Sequence, residues 1–82
     1  MNNPELELYY FPSCPYCQKV LRYLDENSIE VVKRNIKKDE KADKKLVEVG
    51  GKRQVPCLFI NDEPLYESED IINWFQNNYE SD

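Results

Sequence analysis

Two cysteines, Cys14 and Cys17, stand three positions apart in the segment FPSCPYCQKVLRYL, where an apolar run gives way to a helical pattern. Thiols at this spacing can form a structural disulfide, half of a metal site, or a redox centre that makes and breaks its own bond. A disulfide across three residues closes so small a loop that it stabilises a fold little. A metal site needs about four ligands, whereas the chain has no histidine and one further cysteine, Cys57. Reversible redox chemistry is therefore favoured, and a metal cluster shared between two subunits stays open.

The position of Cys14 just before a helix predicts different chemical roles for the two thiols. The apolar stripe of that helix is formed by Cys17, Val20, Leu21 and Leu24. Pro15 suits the first turn, where its missing N–H costs nothing. Unpaired N–H groups and the helix dipole favour negative charge at this end, so Cys14 should become a thiolate sooner than an ordinary cysteine. Cys14 is thus predicted to attack the substrate disulfide, and the shielded Cys17 is predicted to resolve the mixed disulfide that results.

The segments around this helix alternate between strand and helix patterns. LELYYF (6–11) alternates and is rich in aromatic residues, which indicates a strand, and IEVVKRNI (29–36) indicates a second strand. Asp39 or Asp43 could cap a second helix, which stops at a Gly-Gly pair. The first half therefore has the order β-α-β-α.

The second half begins with a hairpin and closes with a helix. CLFI (57–60) and PLYE (64–67) flank an Asn-Asp turn, and Ser68 is a plausible N-cap for the last helix. The buried face of that helix is predicted to contain Ile71, Ile72, Trp74, Phe75 and Tyr79. The whole chain, 1–82, is thus predicted to be a single α/β domain of order β-α-β-α-β-β-α, in which helices flank a small mixed sheet.

Charge and composition exclude some classes of protein. The net charge of −5 argues against a nucleic-acid partner, although residues 33–53 form a basic island of nine Lys or Arg against four Asp or Glu. No apolar run approaches the roughly 18 residues that a membrane span needs, and the first residues lack the pattern of a secretory leader. We expect a cytoplasmic protein without a membrane partner, in a compartment that keeps its thiols reduced.

Three motifs together carry a resemblance to a known family. CPYC after a strand, QVP before the third strand, and ESED at the start of the last helix resemble the glutaredoxin family of the thioredoxin fold, from Leu6 to Tyr79. The resemblance implies that glutathione is the reductant for protein disulfides and glutathione mixed disulfides. It also implies that the first cysteine forms a mixed disulfide with glutathione.

The resemblance also assigns roles to single residues. Cys14 would be the nucleophile and Cys17 the resolving thiol. Tyr16 would form a wall of the glutathione groove, and Pro56 would match the cis-proline of the family. The groove is completed by the backbone of Val55, which would pair with the cysteinyl unit of glutathione, and by Ser68 and Glu69, which would hold its γ-glutamyl end.

The chain departs from its relatives at two points. Many glutaredoxins have a lysine three residues before the first cysteine, whereas this chain has Phe11. The basic island could supply the missing cation, and its candidates are Lys44, Lys52 and Arg53. LYESEDI also replaces a common Gly-Gly pair and resembles the ES segment of glutathione transferase N-terminal domains. This segment preserves the tripeptide site, but it does not establish the surface that would bind protein substrates.

Two other functions stay open at this point. An iron–sulfur or metal carrier could use Cys14 and glutathione as ligands in a dimer, although a Pro-Tyr spacer makes this less favoured than a glycine-rich one. An electron donor or transferase-like module could take electrons from thioredoxin reductase. Cys57 is expected to be a small core residue, with a third redox thiol as the alternative. For the favoured function we expect a monomer that uses glutathione and no metal.

Overall fold

The computed structural model describes residues 5–78, which form seven elements in the predicted order. These elements are β1 (Leu6–Tyr10), α1 (Pro15–Glu26), β2 (Val32–Asn35), α2 (Glu40–Gly50), β3 (Cys57–Ile60), β4 (Glu63–Tyr66) and α3 (Ser68–Asn78). The prediction that Tyr79 belongs to the buried face of α3 lies outside the described residues. No helix in the part of the chain described here is long and apolar enough to cross a membrane.

The four strands form one mixed sheet in the order β2-β1-β3-β4. β1 runs parallel to β2 and antiparallel to β3, which is antiparallel to β4. The second strand is shorter than the predicted 29–36, because its ladder with β1 starts only at the pair Glu7 and Val32. Ile29 and Val31 pack against the core instead of extending the strand. The predicted mixed sheet is confirmed.

Alternation along the central strands places one core on each face of the sheet. Leu8 and Leu58 contribute to the core under α1 and α3, whereas Tyr9 and Phe59 contribute to the core under α2. The first core consists of Leu6, Leu8, Val20, Leu24, Leu58, Ile71 and Phe75. The second consists of Tyr9, Ile36, Ala42, Leu46, Cys57 and Phe59. Cys57 is fully buried, in agreement with its expected place in the core.

The ends of the helices follow local chemistry, with one correction. The Asp39 side chain accepts hydrogen bonds from the backbone N–H groups of Lys41 and Ala42, so Asp39 caps α2 and Asp43 does not. The predicted N-cap role of Ser68 is wrong, because Ser68 is already the first helical residue. The carbonyl of the preceding Glu67 accepts the first helical hydrogen bond from Ile71, at 3.0 Å.

Truncation of the central core should destabilise the protein strongly. Leu58 is completely buried on β3, between two neighbouring strands. Leu58→Ala is therefore expected to lower the free energy of unfolding by about 2–5 kcal/mol in urea denaturation. Val49 on α2 is half-exposed. Val49→Ala should therefore change the free energy of unfolding by only about 0.5 kcal/mol. Equal losses in the two variants would contradict this placement of the core.

Candidate active site

Cys14 is held at the N-terminus of α1 by backbone geometry. It is the N-cap residue in an extended conformation, and its carbonyl accepts a hydrogen bond from the Gln18 N–H at 3.0 Å. Its own N–H donates to the carbonyl of Phe11 at 3.2 Å. The Cys14 side chain makes no capping hydrogen bond, and no acidic residue lies in the first turn of α1. The positive end of the helix dipole is therefore left for the Cys14 sulfur.

Cys17 lies one turn further on and is completely buried. Burial is the main cause that raises the pKa of its thiol to about 12, and hydrogen bonding to the Cys14 side chain raises it further. A hydrogen bond with the Phe11 backbone offsets only part of this rise in pKa. A thiol with this pKa is protonated near neutral pH, so Cys17 is suited to the second step of a reaction. Neither cysteine forms a disulfide in this structure.

The backbone before Pro56 lies directly beside the first thiol. The Sγ atom of Cys14 is 4.0 Å from the carbonyl oxygen of Val55, and the Val55–Pro56 peptide bond is cis. The cis form agrees with the expectation for Pro56. The segment that was expected to pair with a bound tripeptide is therefore next to the nucleophile.

A cavity of about 710 Å³, which we call the main groove, lies beside this segment. Its lining residues are Tyr16, Gln54, Val55, Pro56, Glu67, Ser68, Glu69, Asp70 and Asn73. All five residues that were expected to bind glutathione are thus brought together. Tyr16 is 65% exposed at its rim, whereas Ser68 is only 7% exposed. The volume suits a ligand of the size of a small peptide.

Four lining residues of the main groove were missed by the sequence analysis: Gln54, Glu67, Asp70 and Asn73. The Gln54 side-chain amide donates a hydrogen bond to the Glu67 carboxylate at 2.9 Å, which joins the two walls. Glu67 has a positive φ of 73° directly before α3. Helical spacing could have predicted that Asn73 lines the groove, because it follows Glu69 and Asp70 by one turn.

A second cavity of about 200 Å³ also borders Val55. Its lining residues are Phe11, Ile36, Lys37, Asp43, Arg53 and Val55. Two hydrogen bonds, of 2.7 and 3.1 Å, join the Arg53 guanidinium to the Asp43 carboxylate. This contact holds the pKa of Asp43 below its usual value. The charge of Arg53 is therefore largely compensated within the protein.

Lys37 is the cation of the second cavity that the sequence analysis missed. Its Nζ atom lies over the ring of Phe11, at 5.1 Å from the ring centroid. Within residues 5–78, no salt bridge involves Lys37. Of the earlier candidates, Lys52 lies over the Tyr66 ring at 4.7 Å, and Lys44 lines neither cavity. The Lys37 ammonium group thus lies over Phe11, the residue that stands where many relatives have a lysine.

Comparison with known proteins decides the family. The family model described as Glutaredoxin matches residues 6–65, which is most of the chain. The chain belongs to the glutaredoxin family. Glutaredoxin 1 of Rickettsia prowazekii (strain Madrid E) is similar to it, with 33% identity over 69 residues, 80% of this chain and 72% of that protein.

Solved structures place this glutaredoxin in the thioredoxin-like fold. The thioredoxin-like protein BC3987 is 26% identical, with a TM-score of 0.74, covering 89% of this chain and 97% of that chain. A glutathione transferase homologue from Drosophila mojavensis, solved with bound glutathione, has a TM-score of 0.76. It is 18% identical and covers 94% of this chain and 36% of that chain, so it supports the fold alone. The family supports a thiol–disulfide oxidoreductase.

Proposed function

We propose that this glutaredoxin uses glutathione to reduce glutathione mixed disulfides and protein disulfides. The observation that carries the proposal is the main groove, where all five residues expected to bind glutathione line one cavity beside Cys14. Near the start of α3, unpaired N–H groups and the Ser68 hydroxyl would hold the γ-glutamyl carboxylate. The Val55 backbone would pair with the cysteinyl unit in the manner of an added strand. Tyr16 would cover the bound peptide from the rim.

The proposed cycle consists of balanced thiol–disulfide exchanges. The Cys14 thiolate attacks the glutathione sulfur of a mixed disulfide, so that a new S–S bond forms and the substrate leaves as a thiolate that takes up a proton. A second glutathione thiolate then attacks the glutathione sulfur and releases Cys14 as a thiolate together with glutathione disulfide. For a protein disulfide, the Cys14 thiolate first forms a mixed disulfide with one protein sulfur, and the other protein sulfur leaves as a thiolate that takes up a proton. Cys17 then attacks the Cys14 sulfur, and the first protein sulfur leaves and takes up the proton that Cys17 loses. Two glutathione molecules later reduce the Cys14–Cys17 disulfide and are oxidised to glutathione disulfide.

A coupled assay with glutathione and glutathione reductase tests the proposed function. A glutathionylated peptide serves as substrate, and NADPH consumption is followed with and without the protein. We expect turnover that depends on both the protein and glutathione. A parallel reaction replaces glutathione and its reductase with thioredoxin reductase. Activity only in that second reaction would overturn glutathione as the reductant while preserving the dithiol chemistry.

Lys37 is proposed to contact the glycine carboxylate of the bound tripeptide. Because this contact is solvent-exposed, Lys37→Gln should raise the Michaelis constant for the glutathionylated peptide by roughly two- to fivefold at low salt. The effect should shrink toward about 0.15 M ionic strength, where charges are screened over about 8 Å. The measurement is initial velocity in the coupled assay against substrate concentration.

Lys38→Gln is the matched control, since Lys38 is exposed and lines neither cavity. Equal effects of the two variants would show that net charge is responsible, and would remove Lys37 from the site. The double variant of Lys52 and Arg53 then tests the candidates named from the sequence.

We further propose that the protein is a cytoplasmic monomer, which rests on its sequence alone.

A further inference from the structure

Three apolar side chains line the second cavity without filling it. Phe11 and Val55 are half-buried and pack against the core under α2, to which Ile36 belongs. They follow β1, precede β3 and follow β2 respectively, and they border a space of about 200 Å³. An apolar cavity of roughly 150 Å³ can hold a benzene ring. The space is therefore large enough for a branched aliphatic side chain.

The charged residues of the second cavity leave one cation available. Asp43 and Arg53 are paired through hydrogen bonds of 2.7 and 3.1 Å. Lys37 lies over the Phe11 ring and forms no salt bridge within residues 5–78. The cavity thus combines apolar walls with an ammonium group that can pair with a carboxylate. A residue that has both an aliphatic side chain and a free α-carboxylate matches this combination.

The second cavity lies within reach of a substrate that is bonded to Cys14. Val55 lines both cavities, and its carbonyl oxygen is 4.0 Å from the Cys14 sulfur. A peptide that pairs with the Val55 backbone as an added strand has successive residues about 3.3 Å apart. The residue next to the substrate cysteine is therefore close enough to enter this cavity.

The alternation of side chains along a strand determines which residue of the substrate enters. The substrate cysteine must point toward Cys14, which caps α1 on one face of the sheet. The second cavity lies on the opposite face, because Ile36 belongs to the core under α2 and Asp43 lies on that helix. Neighbouring side chains of an extended peptide point to opposite sides. With the γ-glutamyl end in the main groove, the residue that follows the cysteine therefore points toward the second cavity.

We propose that the second cavity binds a C-terminal aliphatic residue that follows the cysteine of a disulfide substrate. Disulfides of thiol peptides that end in cysteine and a branched aliphatic residue are then better substrates than glutathione disulfide. The aliphatic side chain packs on Phe11, Ile36 and Val55, and the α-carboxylate pairs with Lys37, whereas glycine makes only the second contact. This inference rests on the proposed function, because it needs the same attacking thiol and the same orientation of the γ-glutamyl end.

The reaction with such a peptide is a thiol–disulfide exchange. The Cys14 thiolate attacks one sulfur of the symmetrical peptide disulfide, a new S–S bond forms with that sulfur, and the original S–S bond breaks. The other peptide leaves as a thiolate that takes up a proton. In Cys17→Ser, with the disulfide in excess and no other thiol added, the reaction stops at the Cys14 adduct. One second-order rate constant then describes it.

The test compares three symmetrical disulfides in single-turnover reactions of reduced Cys17→Ser. They are glutathione disulfide, the disulfide of γ-glutamylcysteinyl-leucine, and the disulfide of the C-terminal amide of that leucine peptide. Each rate constant is measured by mass spectrometry of quenched samples and divided by that of 2-mercaptoethanol with the same disulfide, which removes differences in intrinsic reactivity. We expect the normalised rate to be roughly tenfold higher for the leucine peptide than for glutathione disulfide. At low salt the amide should react roughly two- to fivefold more slowly than the acid.

Further substitutions in the Cys17→Ser background separate the two contacts. Phe11→Ala removes an apolar wall and should lower the ratio of leucine peptide to glutathione disulfide by roughly threefold or more. Lys37→Gln should abolish the difference between acid and amide while preserving most of the preference for leucine. Tyr23→Ala is the matched control, because Tyr23 is also a half-buried aromatic residue but packs against the other core and lines neither cavity. Both ratios should be unchanged in that variant.

A structural measurement gives a readout that needs no change in the cavity wall. The adduct of Cys17→Ser is prepared with a peptide whose leucine methyl groups carry ¹³C. Isotope-filtered NMR should show nuclear Overhauser effects from these methyl groups to the Phe11 ring and to the Val55 methyl groups.

Equal normalised rates for the leucine peptide and glutathione disulfide would overturn the inference while preserving the proposed function. Leucine methyl groups without contacts to Phe11 and Val55 would also overturn it. So would an equal fall of the leucine preference in Phe11→Ala and Tyr23→Ala, because general destabilisation would then explain the fall. Failure of Cys14 to react with glutathione disulfide would instead overturn the proposed function itself.

Discussion

Cys14→Ser is expected to abolish turnover of glutathionylated peptide, lowering the rate by at least about a thousandfold. Only the Cys14 sulfur lies at the uncapped N-terminus of α1 and beside the Val55 carbonyl. Cys17→Ser should retain much of this activity, because a second glutathione can resolve the mixed disulfide without Cys17. The measurement is the coupled assay with glutathione and glutathione reductase.

Cys57→Ala provides the control for loss of a cysteine as such. Cys57 is buried in the core under α2 and lines neither cavity, so its removal should leave most of the activity, provided that unfolding curves show a folded variant. Reduction of protein disulfides should depend more on Cys17 than reduction of the glutathionylated peptide does. Equal loss of peptide activity in the Cys14 and Cys17 variants would contradict the division of labour.

Alkylation of the reduced protein by iodoacetamide at pH 7 should modify Cys14 alone. Burial raises the pKa of Cys17 and of Cys57 to about 12 each. Such a thiol is ionised to only about one part in 10⁵ at pH 7, and the thiolate is the nucleophile. Both residues are also completely buried. Their labelling should be at least about a thousandfold slower than that of a free cysteine.

Peptide mapping by mass spectrometry measures this selectivity. The labelling rate of the two buried thiols should rise about tenfold per pH unit while the protein stays folded, because pH then remains below their pKa. The same reaction in denaturant should modify all three cysteines at similar rates. Comparable labelling of Cys17 and Cys14 in the folded protein at pH 7 would contradict the assignment of the resolving thiol.

Much of the fold follows from local patterns in the sequence. Alternation predicts β1, and a proline in the first turn with an apolar stripe predicts α1. The Asn-Asp pair predicts the hairpin, and both of its residues adopt a positive φ. The extent of β2 could not be predicted in this way. It depends on the register with β1, which begins at Glu7 and Val32.

The candidate site could be predicted only where motifs exist. CPYC, QVP and ESED identified seven residues. The structure places five of them around the main groove, with Cys14 beside Val55 and Cys17 one turn further along α1. The contact of Lys37 with the Phe11 ring joins two segments that are 26 positions apart, and no local pattern encodes it. The bond between Gln54 and Glu67 likewise depends on how the loop before β3 meets the start of α3.

Glutathione is proposed to occupy the main groove while it is bonded to Cys14. Isotope-filtered NMR of Cys17→Ser, after reaction with labelled glutathione disulfide, tests this claim most directly. We expect one glutathione per chain, attached to Cys14, with nuclear Overhauser effects from its γ-glutamyl protons to Ser68 and from the tripeptide to the Tyr16 ring. Attachment to Cys57, or an adduct on Cys14 without contacts to Tyr16 and Ser68, would contradict the account.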